Sequence, residues 1–137
     1  MLHLAVPWPK TMSESVLGVD TNILVRFFAD DDDLQSAQAK QFIADNQPVY
    51  VSMLVLSEAF NVLTKVRKFP MSAVHNGYRM LLRSPGIVVE DPQIVAQALE
   101  DGEGATCGFT DALIALQNRA FGCSTTATFD HRAARLE

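Results

Sequence analysis

The stretch FTDALIALQNRAFGCSTTATFD, residues 109–130, decides the reading of this chain. Thr110 is placed to cap a strongly apolar helix that runs through Phe121, and Gly122 is the expected stop. Cys123 to Thr128 reads as a strand, and Asp130 as the cap of a last short helix, His131 to Leu136. Helix, glycine, strand and capped helix in succession form one unit of an alternating α/β chain.

The same alternation extends upstream. Val16 to Val19 is a short apolar run ending on the polar cluster Asp20-Thr21-Asn22, which turns into a helix from Ile23 to Ala29. The acid run Asp30 to Asp33 precedes a second helix, Leu34 to Asn46, where carboxylates favour the positive end of the dipole. Pro48 to Ser52 is a strand rich in β-formers, followed by Val55, Ala59, Val62, Leu63 and Val66 on one helical face. Pro70 breaks that helix, Ser72 is placed to cap the next, and Pro85-Gly86 ends it. Ile87 to Val89 is a third strand, and Asp91-Pro92 opens a short amphipathic helix. Strands thus alternate with helical segments four times, which predicts a parallel sheet covered on both faces. Residues 1–14 read as a loosely ordered extension ahead of a single domain, 15–137, and Met12 is the expected true start.

Four acids fall at one edge of such a sheet. Asp20 ends the first strand, Glu58 lies early in the helix after the second, Asp111 opens the helix before the fourth, and Asp130 follows that strand. Helices that run antiparallel to the strands begin at the strands' carboxyl ends, where open α/β sheets place their sites. Singly, Asp20, Asp111 and Asp130 are also ordinary helix-start residues, each worth about 1 kcal/mol as a cap. Glu58 borders the apolar stripe and is expected to be partly withdrawn from water, where a carboxylate needs a partner. Two carboxylates ~4–5 Å apart repel by about 3–4 kcal/mol at an effective dielectric near 20. Four converging acids would therefore take up protons or bind a cation, and oxygen-only ligation suits Mg²⁺ or Mn²⁺ better than zinc. Such a site suits hydrolysis of phosphate esters.

The runs VLGVDTNILVRFF (16–28), VYVSMLVLSEAFNVL (49–63), FTDALIALQNRAFGC (109–123) and TATFDHRAARL (126–136) together resemble a PIN domain of the VapC toxin type. The resemblance implies a three-layer α/β/α fold around a parallel sheet of four strands, or five with a further edge strand. It implies a Mg²⁺- or Mn²⁺-dependent endoribonuclease with Asp20, Glu58, Asp111 and Asp130 as metal ligands, supported by Asn22 and Thr128. In-line attack of water on phosphorus would leave a 5′-phosphate and a 3′-hydroxyl. A homodimer and a small VapB-type antitoxin lying in the catalytic groove are implied as well. Three departures stand out. Gly108 occupies a position where many relatives carry another acid, for which Glu103 is the nearest substitute. The chain stops at Glu137, where relatives continue into an edge strand, and its first catalytic Asp lies later than is common.

Composition narrows the remaining classes. The chain has 137 residues, 16 Asp+Glu against 11 Lys+Arg and a formal charge of −5, which excludes a protein that coats nucleic acid with a basic surface. Residues 59–89 nevertheless hold Lys65, Arg67, Lys68, Arg79 and Arg83 with no acid, a strip suited to an RNA backbone or to a shared dimer groove. No apolar run reaches the ~20 residues of a membrane span. Cys107 and Cys123 make no disulfide framework and read as reduced core thiols of a cytoplasmic protein. His131 beside Asp130 reads as a surface residue, because adjacent helical side chains diverge. An aspartyl-phosphate phosphatase is disfavoured, since Asn22 stands where its second acid belongs. The competing readings are a non-toxin PIN nuclease in RNA processing and a catalytically silent PIN-fold binding module.

Overall fold

The computed structural model describes residues 16–29 and 34–136. The predicted extension 1–14 and the acid run 30–33 lie outside these residues. The order of elements is β1 (Leu17–Gly18), α1 (Thr21–Ala29), α2 (Leu34–Asp45), β2 (Val49–Val51), α3 (Met53–Asn61), α4 (Met71–Arg83), β3 (Ile87–Val89), α5 (Pro92–Ala105) and α6 (Phe109–Phe121). A π-turn, Val62–Val66, extends α3, and a 3-10 turn, Ala133–Leu136, follows α6. The strands form one parallel sheet in the order β1-β2-β3, with Leu17 opposite Val49 and Val49 opposite Ile87.

The predicted fourth strand is not formed among the described residues. Cys123 to Thr128 carries no large apolar side chain to bury, and all but Thr126 are exposed. At its start Cys123 N–H donates to Asn118 O at 3.0 Å, and further on the Asn118 side-chain amide donates to Thr126 Oγ1 at 3.1 Å. The closing helix is correspondingly reduced to one 3-10 turn.

Side-chain alternation assigns the sheet its buried face. Val49, Val51 and Val89 are buried, while Val88 and Gly18 on the other face are exposed and Tyr50 is half-buried. Over the buried face lie Leu24 and Val25 of α1, Leu56, Ala59, Phe60 and Leu63 of α3 and its π-turn, and Tyr78 of α4. Phe109, from α6, is completely buried and meets Tyr78 edge-on with ring centroids 5.2 Å apart. Fully burying such a side chain contributes roughly 1.5–3 kcal/mol. The Tyr78 hydroxyl donates to Leu56 O at 2.6 Å, tying α4 to α3 inside the core.

The helix starts differ from the predicted caps in an instructive way. Ser52 caps α3 by accepting from Val55 N–H at 3.1 Å. Ser72 and Thr110 do not cap, because α4 begins at Met71 behind the extended Pro70 and α6 begins at Phe109 behind Gly108. Gly122 does stop α6, at φ 113°.

Candidate active site

Asp20 follows β1 directly, and its Oδ1 accepts from Ile23 N–H at 3.0 Å, so it does cap α1. The next residue makes the first long-range link of the site. Thr21 Oγ1 donates to Glu58 Oε2 at 2.9 Å, joining the start of α1 to α3. A second link follows from Thr110, whose hydroxyl donates to Ser57 O at 3.3 Å and ties the first turn of α6 to α3. The starts of α1 and α6, carrying Asp20 and Asp111, are thereby joined through the hydroxyls of Thr21 and Thr110 to the second turn of α3, where Glu58 lies rather than in the first turn expected from the sequence. Sequence reasoning had singled out Asn22 and Thr128 as the supporting polar residues. Thr128 does support its acid, its Oγ1 accepting from Asp130 N–H at 3.0 Å. Asn22 is exposed, and Thr21 makes the carboxylate contact instead.

Glu58 is exposed, contrary to the expectation that the apolar stripe would shield it. The buried face of α3 is Met53, Leu56, Ala59 and Phe60, continuing to Leu63, whereas Val66 is 71% exposed. The π-turn, in which Arg67 N–H reaches back five residues to Val62 O, ends the regular 3.6-residue period assumed for the stripe.

Asp111 and Asp130 sense each other's charge and titrate in opposite directions. Burial raises the Asp111 carboxyl above its usual range, and the charge of Asp130 adds to this; Lys65 and Arg132 pull it back. Asp130 is held below the usual range, first by the N–H of Arg132, which donates to its Oδ1 at 2.8 Å. The Arg132 guanidinium stands 3.9 Å away, an exposed ion pair of little energetic weight. Among the described residues, no three Asp, Glu, His or Cys side chains stand close enough together to enclose a metal ion. The donor set nonetheless fits a hard divalent cation in kind: carboxylate oxygens only, with the Asp111 carboxyl raised first by burial and then by the charge of Asp130.

Gly108 explains its own departure from the pattern. It sits at φ 94°, and a Cβ there would lie 2.9 Å from the Phe60 ring and 3.0 Å from the Met71 sulfur. A side chain is therefore excluded where relatives often have an acid. Glu103 does not replace it freely, because it is ion-paired with Arg79 of α4. That pairing also engages one member of the basic strip, whereas Lys65 lies within electrostatic reach of Asp111. A concavity of about 150 Å³ adjoins Asp111, floored by Ile114, Ala115 and Leu136 and edged by Thr126 and Thr128. A larger one of about 630 Å³ lies elsewhere, among Gln97, Glu100, Asp101, Arg119 and Arg135, and contains none of the four acids.

A parallel sheet with acidic residues at the carboxyl ends of its strands defines an α/β protein of the class that works at that edge. The chain matches the model of the PIN domain family over residues 18–137 and belongs to that family. PIN domains are generally nucleases that use divalent metals and act on RNA. No curated protein and no solved structure matches the chain. Among the described residues, no helix is long and apolar enough to cross a membrane.

Proposed function

We propose that this chain is a Mg²⁺- or Mn²⁺-dependent endoribonuclease and the toxin of a VapBC-type pair. The nuclease class is supported by family membership, and the toxin assignment by the motif order DTN, SEAF, FTDALIAL and TATFD along the chain. The observation that supports the site is the pair of hydrogen bonds, Thr21 to Glu58 and Thr110 to Ser57, that tie the helices carrying Asp20, Glu58 and Asp111 together, with Asp111 held above its ordinary range by burial and then by the charge of Asp130.

In this reading Asp20, Glu58, Asp111 and Asp130 hold the cation. When bound, a divalent cation supplies charge stabilisation for the phosphodiester under attack and an acidified water. Thr21 and Thr128 orient Glu58 and Asp130, the first through its hydroxyl and the second through the backbone N–H. Lys65, beside Asp111, meets the RNA phosphate, and Arg67, Lys68 and Arg83 extend the strip. Arg79 joins it only by exchanging its Glu103 partner. The protein acts as a homodimer, and a small VapB-type antitoxin covers the groove.

Asp20→Asn and Asp111→Asn test the site together. Both are expected to abolish metal-dependent RNA cleavage with the fold intact by circular dichroism, and wild-type cleavage in both discards it. A neighbouring gene for a small DNA-binding antitoxin distinguishes a toxin from an RNA-processing nuclease. One observation favours a second reading, the catalytically silent binding module: no three metal-binding side chains converge among the described residues. Absence of cleavage by the wild type with Mg²⁺, Mn²⁺ and varied RNAs selects it.

A further inference from the structure

Glu90 is a fifth acid at the carboxyl edge of the sheet, directly after β3, and it is anchored twice to the junction between β2 and α3. Its own N–H donates to Val51 O at 3.0 Å, and its Oε1 accepts from Met53 N–H at 2.9 Å. Met53 is the first residue of α3, and its N–H is one of the helix-start donors that have no partner inside the helix. Ser52 already caps this helix through Val55, so the helix does not need Glu90 in order to begin. What Glu90 adds is a fixed position of that beginning against the neighbouring strand. A negative charge there is also favoured by the helix dipole.

The helix whose start is so held carries, in its second turn, the contacts of the candidate site. Five residues beyond Met53, Glu58 accepts from Thr21, and Ser57 O accepts from Thr110, the neighbour of Asp111. An α-helix advances about 1.5 Å and turns about 100° per residue, so a shift of its start along the sheet re-aims the side chains of the turns that follow.

We propose that Glu90 is a positioning residue: by holding the Met53 N–H it sets where α3 starts on the sheet, and with it the stations of Glu58 and of the Thr110 contact beside Asp111. The proposal rests on the nuclease reading above. It is tested with Glu90→Gln, which keeps an acceptor oxygen, and Glu90→Ala, which does not.

Cleavage of RNA with Mn²⁺ is measured beside amide hydrogen exchange over Met53 to Ser57. Glu90→Gln is expected to stay within about threefold of wild-type kcat, while Glu90→Ala loses about tenfold or more with KM nearly unchanged, as misplaced catalytic groups do. Exchange at Met53 in Glu90→Ala is expected to quicken about tenfold or more, with α4 amides still protected. Wild-type kcat in Glu90→Ala, alongside inactive Asp111→Asn, overturns the positioning role and leaves the nuclease reading standing. Unchanged Met53 exchange overturns it without reference to activity. Equal losses in the Gln and Ala variants overturn it too, by showing that charge matters and the acceptor does not. A wild type that cleaves no RNA overturns both readings.

Discussion

At the start of α6, Phe109 is fully buried against Phe60 and Tyr78, and Thr110 reaches across to α3. At its last residue, Phe121 is 90% exposed, and beyond it Phe129 is fully exposed, with the segment between them pairing with no strand among the described residues. The same motif thus has a half built into the core and a half held by its own local bonds. The proposed ligands divide along that line. Asp111 takes its position from three packed helices, whereas Asp130 takes its position from Thr128 and the N–H of Arg132. The electrostatics follow: burial raises the packed acid, and local donors lower the exposed one. One acid is thus held by packing and the other by local bonds, and the proposed site asks both to meet one cation.

The largest expected effect tests this division directly. Asp111→Asn is expected to lower metal-dependent cleavage by roughly 10²-fold or more, in line with the loss of a preorganised charge-stabilising group. Its thermal effect should be the reverse of a loss. A carboxyl whose folded pKa is raised contributes stability that is complete below its ordinary 3.8 and is lost as pH rises through the folded value. At neutral pH the ionised Asp111 therefore opposes folding, and the amide is expected to raise Tm in metal-free buffer. Asp130 has the opposite sign, with stability present above 3.8 and lost as pH falls through its lowered value. Asp130→Asn is accordingly expected to lower Tm slightly while also losing cleavage. Parallel Tm shifts in the two variants would break the comparison.

Next in size are the two phenylalanines. Phe109→Ala is expected to cost about 3–5 kcal/mol in urea unfolding, the range for a large side chain removed from a packed core. Phe129→Ala is expected to fall within about 0.5 kcal/mol of wild type. A comparable cost at both positions would mean that Phe129 is buried in solution, against a strand or a second chain.

A smaller effect separates two histidines. His75 is 2% exposed, its Nε2 has no hydrogen-bond partner, and its ring stacks on Phe60 with centroids 5.5 Å apart. Burial holds its pKa below 6.5, assisted by Arg79 and opposed by Glu103. The unfolded chain then binds the proton more readily, so this histidine leaves stability intact above 6.5 and lowers it as pH falls below that value. The slope is at most about 1.4 kcal/mol per pH unit. His75→Phe is expected to flatten the profile between pH 6.5 and 5, and His131→Phe, on the exposed segment, to leave stability at pH 7 within about 0.5 kcal/mol of wild type.

The sequence made one half of this molecule far more legible than the other. Apolar runs with β-formers located β1, β2 and β3, and the motif order pointed to the four acids. The fourth strand failed because Cys123 to Thr128 has strand-like residues with nothing large to bury, and only tertiary pairing could hold it extended. The exposure of Glu58 was hidden because the stripe ran through Val55, Val62 and Val66, which are half-buried or exposed, whereas α3 buries Met53, Leu56, Ala59 and Phe60. The bonds that organise the edge were hidden for a different reason. Thr21 to Glu58 and Met53 to Glu90 each span 37 residues, a separation at which neither local propensity nor periodicity carries information. Thr21 looked like one residue of a polar turn, and Glu90 like one more solvated acid.

The smallest effect is chemical and reads the same division through the two free thiols. Cys107, partly buried before α6, has its pKa raised, first by burial and then by the charge of Asp111. Cys123, beyond the helix, is exposed, against the expectation of two core thiols. Alkylation requires the thiolate and access to it. Iodoacetamide at pH 8 is therefore expected to label Cys123 first, with Cys107 following only on longer exposure or in denaturant, as peptide mass spectrometry would show. Labelling of Cys107 should also respond to the site: replacing Asp111 with Asn removes the second cause of its raised pKa and should quicken its reaction, while Cys123 keeps its rate. Equal rates at both thiols in the native protein would mean that the packed start of α6 opens as readily as the segment after it, and the distinction between a rigid Asp111 and an adaptable Asp130 would fall with them.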